Sequence, residues 1–77
     1  MIMNNIGEKI KKIRELRNFS RRYVACELMI STNTYGKIER NEMDITLKRL
    51  GQIADVLKVG VSTIIDFDEN QILMKER

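Results

Sequence analysis

A chain of 77 residues has room for one domain with a small core, and at 43% hydrophobic and 32% charged it reads as globular rather than disordered. A single cysteine, Cys26, and the absence of histidine exclude an internal disulfide, a Cys/His zinc set and histidine acid–base chemistry; no metal or other cofactor is expected. The net charge of +3 is unevenly spread: residues 1–40 hold nine Lys/Arg against four Asp/Glu, a surplus of five, and residues 41–77 hold five against seven. A basic first half points to a polyanionic partner there, although a solvated charged surface accounts for the same count.

The opening "MIMNNIGEKI" lacks the basic stretch and apolar run of a signal peptide, and no apolar run approaches a membrane span, so an intracellular, cytoplasmic setting is expected. Ile6, Ile10, Ile13 and Leu16 then predict a first amphipathic helix. Asn5 is its expected cap, with Glu8 completing a capping-box-like pair. "RNFS" ends that helix, and Ser20 caps a second whose inner face is Val24, Ala25 and Leu28. Only Met29 and Ile30 separate Leu28 from the next cap, Ser31, so helices two and three have the proportions of a helix-turn-helix. The third helix runs to about Arg40, and Asn41 suits the left-handed conformation that ends a helix. Thr46 caps a fourth helix with Leu47, Leu50, Ile53, Ala54 and Leu57 inside; Gly60 breaks the chain before a short fifth helix with Ile64 and Ile65. A division into residues 1–66 and a short tail, 67–77, follows.

In "ISTNTYGKIER", the third helix, beyond its cap Ser31, has only Tyr35 and Ile38 as large apolar residues. Thr32, Asn33, Gly36, Lys37 and Arg40 fall on the opposite face. That face is polar, small and basic, as a helix entering a major groove about 12 Å wide requires. Asn33 is able to pair bidentately with adenine, Lys37 to donate to guanine, and Thr32 to offer its methyl to thymine. Gly36 costs roughly 1 kcal/mol relative to alanine in a helix interior; close approach of the backbone to another surface is one motive, and packing against a neighbouring helix is the other.

Arg21 and Arg22, in the first turn of helix two, oppose its dipole, which a nearby phosphate would explain. Glu39, in the last turn of helix three, is the mirror case and calls for a cation, with Arg14 as the expected partner. Tyr35 is expected in the core and Tyr23 at the bundle edge, and Cys26 reads as an incidental thiol.

The stretch from Phe19 to Ile65 carries a set of features that are specific together. They are Phe19-Ser20, Val24-Ala25, Leu28, Ile30-Ser31, "YGKIER" and then "T-L-x-x-L-x-x-I-A-x-x-L-x-V". It resembles the Cro/lambda-repressor-like helix-turn-helix transcriptional regulators, the xenobiotic-response-element family, over about residues 6–66. The resemblance implies an all-α, five-helix bundle whose second helix crosses the DNA backbone and whose third lies in the major groove. By position it implies base contacts from Thr32, Asn33, Gly36 and Lys37. Arg21 falls where the family commonly has a phosphate-touching glutamine, and Arg14–Glu39 matches a recurrent structural salt bridge. Members usually bind inverted half-sites as two-fold dimers. Two positions depart from the pattern: Met29 and Asn41 stand where glycine is frequent, and a left-handed Met29 costs of order 1 kcal/mol.

The function expected is therefore a sequence-specific double-stranded-DNA-binding regulator, a repressor acting as a homodimer. Arg21, Arg22, Arg40 and Asn41 are the expected phosphate contacts. The dimer surface is expected around Val59, Val61, Ile65, Phe67, Ile72, Leu73 and Met74. A phage-type repressor, a restriction–modification controller and an antitoxin all fit the size. A protein-interaction module that keeps the bundle without DNA binding is the alternative, and its protein partner is open. No catalytic constellation is present to suggest an enzyme.

Overall fold

The computed structural model describes residues 5–67, which form α1 (Ile6–Leu16), α2 (Arg21–Leu28), α3 (Thr32–Glu39), α4 (Leu47–Leu57) and α5 (Val61–Ile65), with no strand among the described residues. Three of these helices start where a hydroxyl closes them. Ser20 Oγ accepts from the Tyr23 N–H at 2.9 Å, Ser31 Oγ from the Thr34 N–H at 3.0 Å, and Thr46 Oγ1 from the Arg49 N–H at 3.0 Å. α1 starts differently. Asn5 is left-handed (φ 66°, ψ 11°) and its side chain caps nothing, so the expected Asn5/Glu8 capping box does not form. The cap comes instead from across the fold: Asn41 Oδ1 accepts from the Gly7 N–H at 2.9 Å.

That bond marks the tightest junction of the bundle. The N-terminus of α1 abuts the C-terminus of α3, setting amides that have no partner in their own helix against carbonyls that have none in theirs. A Cβ at Gly7 would overlap the Ile38 carbonyl oxygen and stand 2.7 Å from that of Glu39. Gly7 carries no local sequence signal of this junction, because the carbonyls it meets belong to a helix distant in sequence.

The helix ends share one device. After α1, α2, α3 and α4 the chain turns through a left-handed residue: Asn18, Met29, Asn41 and Lys58, all with φ of 60–62°. The N–H of the left-handed residue and that of the residue after it bond back onto the last turn, as with Met29 to Cys26 O and Ile30 to Ala25 O. The next residue is apolar in three of the four cases, and Phe19, Ile30 and Val59 pack against the core. None of the four is glycine.

The core consists of Ile6, Ile10 and Ile13 from α1, Val24, Ala25 and Leu28 from α2, Tyr35 and Ile38 from α3, Leu50, Ile53, Ala54 and Leu57 from α4, and Ile64 from α5. α2 packs on α3 and α4, α1 on α3 and α5, and α4 on α5. Two expected core residues are outside it: Leu16 is 63% exposed and Leu47 70%. Leu16 stands about 60° round the helix from Ile13 and about 120° from Ile10, and Leu47 opens α4 at the margin of its stripe. Ile65 is likewise exposed beside the buried Ile64. No helix among the described residues is long and apolar enough to cross a membrane.

Candidate nucleic-acid interface

The orientation of α3 is fixed from behind by a charge cluster. Glu39 is buried, and both its oxygens are used: Arg14 Nε donates to Oε2 at 2.6 Å, while Arg14 Nη2 and Arg21 Nε each donate to Oε1 at 3.2 Å. Arg14 Nη1 also donates to the Phe19 carbonyl at 2.8 Å. One buried guanidinium thus ties the end of α1 and the α1–α2 link to the last turn of α3. Burial works against both charges. The mutual hydrogen bonds and attraction outweigh it, holding Glu39 below the usual carboxylate range and Arg14 above its ordinary value. Tyr35 is fully buried beneath this cluster. Its hydroxyl has no hydrogen-bond partner among the described residues, and burial, with the Glu39 charge nearby, drives its pKa upward.

The opposite side of α3 faces out. Thr32, Asn33, Lys37 and Arg40 are exposed on it. Gly36 is buried, and the atoms nearest the place of its missing Cβ belong to Arg40. The guanidinium of Arg40 folds back along the helix, with Nη1 3.0 Å from where a Gly36 Cβ would stand. Arg40 is held there by Glu42, which accepts from Nε at 3.0 Å and Nη2 at 3.3 Å. Glu42 was not among the residues expected at the site. Its signal was its place two residues beyond Arg40, past the left-handed turn at Asn41.

Arg21 and Arg22 sit exposed in the first turn of α2, which holds no acid. Glu39 supplies the counter-charge that Arg21 lacks in the first turn of its own helix. Asn41 turns the chain with φ 60° and commits its Oδ1 to Gly7, leaving its amide nitrogen to donate. Thr32, Asn33, Lys37 and Arg40 are thus brought to one surface, with the N-terminus of α2 contributing Arg22. Of the residues expected at a dimer surface, Val59, Val61 and Phe67 are half-buried against the core and Ile65 is exposed. Ile72, Leu73 and Met74 lie outside the described residues. Met29, in the turn between α2 and α3, is 91% exposed. Cys26 is exposed, and Tyr23 packs its ring 4.8 Å from that of Phe19.

A family model described as helix-turn-helix matches residues 10–64, from within α1 to α5. The chain belongs to the helix-turn-helix family. The match is of the Cro/C1-like kind and places the chain among DNA-binding transcription regulators. Solved structures of the same fold agree. The master regulator for biofilm formation SinR, in complex with DNA, is 29% identical with a TM-score of 0.71, covering 79% of this chain and 98% of that one. The N-terminal DNA-binding domain of SinR from Bacillus subtilis is 28% identical with a TM-score of 0.70, covering 83% and 94%. A chain of the SinR protein/SinI protein complex is 25% identical with a TM-score of 0.71, covering 92% and 75%. Comparison with curated protein sequences finds no match. Within the helix-turn-helix family, α2 and α3 are the namesake pair, joined here by Met29, Ile30 and Ser31.

Proposed function

We propose that this helix-turn-helix protein is a sequence-specific reader of double-stranded DNA that represses transcription as a homodimer. The observation that carries the reading is the two-sidedness of α3. Its inner side is buried and bolted to α1 and α2 through Glu39, while Thr32, Asn33, Lys37 and Arg40 are exposed on the outer side. A helix held rigidly from behind presents its donors at fixed positions, which base readout needs. Thr32, Asn33 and Lys37 meet base edges; Arg22, Arg21 and the amide of Asn41 meet phosphates. The likeness to SinR, solved in complex with DNA, supports double-stranded DNA as the ligand.

A second copy is proposed to dock at the α4–α5 end, where Ile65 is exposed and Val59, Val61 and Phe67 are only partly covered. A protein-interaction module that keeps the bundle without DNA binding is the second reading, favoured by the likeness to a chain of the SinR/SinI complex. Charge reversal separates the two. Arg22→Glu with Lys37→Glu abolishes duplex binding, with circular dichroism and melting unchanged, if the outer face of α3 meets DNA. Retained binding overturns the reading. Arg22 is the cleaner target, because Arg21 also serves Glu39.

A further inference from the structure

We infer that Gly36, Arg40 and Glu42 form a cradle that aims the Arg40 guanidinium at a guanine in the major groove, so that Arg40 is a base reader and Glu42 its positioning residue. The inference rests on the proposed DNA-reading role of α3 and deepens it. Neutralising phosphate is sequence-independent and asks less of an arginine's direction than reading a base edge does. Arg40 has a direction. Its Nε and Nη2 both donate to the Glu42 carboxylate, at 3.0 and 3.3 Å, in the side-on bidentate geometry that fixes the guanidinium plane. Its Nη1 lies 3.0 Å from the empty Cβ position of Gly36, one turn back along the helix. The charged head therefore lies over position 36 rather than trailing beyond the end of α3.

With Nε and one Nη2 hydrogen committed to Glu42, the end-on edge retains hydrogens on both Nη1 and Nη2. Two parallel N–H groups in that fork match guanine O6 and N7. The glycine is then explained without a close approach of backbone to DNA: it vacates the spot that the Arg40 head fills. Glu42, which stands among basic residues where a phosphate-binding surface gains nothing from an acid, is explained as the second half of the cradle. Both residues of the pair are about half exposed, so the head remains open to a ligand.

The test is selection from a random duplex pool by the full chain and by three variants. Arg40→Lys keeps the charge and loses the fork. Glu42→Gln keeps the size and loses the charge that holds the fork. Gly36→Ala puts a methyl at the guanidinium; since the crowded atom is the far end of a flexible side chain, the fold is expected to survive, which a melting curve checks. The expected result is loss of preference for guanine at one common position in all three variants, by about fivefold or more, with preference at the other positions unchanged. If Arg40→Lys keeps the full preference, Arg40 meets phosphate alone and the inference is overturned. If Glu42→Gln binds every sequence more tightly with preference intact, Glu42 is only a repulsive charge, and the positioning role is overturned. A wild-type chain that selects no sequence fails at the earlier step and overturns the reading of α3 itself.

Discussion

An acid in the last turn of a helix is set against the helix dipole, and Glu39 is held there by two arginines that come from other elements. Removing one partner of a buried pair leaves the other uncompensated. Arg14→Met is expected to destabilise the fold by about 3 kcal/mol, read as a lower urea midpoint, with Arg21 limiting the loss; an unchanged midpoint would show that the pair contributes nothing. The same residue sets a pH dependence. Because the folded-state pKa of Glu39 lies below its ordinary value of 4.5, the folded state binds fewer protons than the unfolded one in that range. Its contribution is therefore complete above about pH 4.5 and is lost as pH falls through the lowered folded value. Glu39→Gln is expected to flatten that part of the acid limb of the stability–pH curve, and an unaltered limb would contradict the assignment. On the outer side of α3, Lys37→Ala is expected to lower affinity by roughly 1–3 kcal/mol on duplexes carrying the base it reads, and less on others. A loss equal on all sequences would make Lys37 a phosphate contact.

At the scale of the helices, the ends decide how α3 is aimed. Gly7→Ala drives a methyl into backbone carbonyls of α3 that cannot swing aside, so a loss of about 2 kcal/mol or more is expected in thermal or chemical melting. Met29→Gly acts in the opposite sense. It relieves a left-handed, solvent-exposed side chain at the helix-turn-helix turn, and a gain of up to about 1 kcal/mol is expected after the entropy of the unfolded glycine is counted. A destabilised Met29→Gly would mean that the methionine makes a packing contribution the fold does not display. These ends also show what a sequence makes readable. The caps at Ser20, Ser31 and Thr46 were legible because donor and acceptor lie three residues apart. The cap of α1 was not, because its acceptor on Asn41 is 34 positions away from Gly7. Leu16 and Leu47 fit an apolar stripe, but a stripe's margin at a helix end is decided by neighbours that only the fold supplies. At the site, the polar face of α3 followed from helical spacing alone. That Arg40 would fold back over Gly36 and meet Glu42 depends on a turn at Asn41, where helical spacing stops applying.

For the molecule as a whole, a small core of helices rigidly supports one polar helix face, with the basic surplus carried in residues 1–40. A reader built this way gains affinity from phosphates and preference from a few donors on α3, and the two respond differently to salt. The proposed two-fold dimer, joined through the α4–α5 end, would present two such faces, and its target would be an inverted repeat. The most direct measurement is selection from a random duplex pool by the wild-type chain at two salt concentrations. The result expected is enrichment of one inverted repeat, with affinity falling steeply as salt rises. Weak binding without sequence preference, or none at either salt concentration, would contradict it, because the outer face of α3 would then have no base to read.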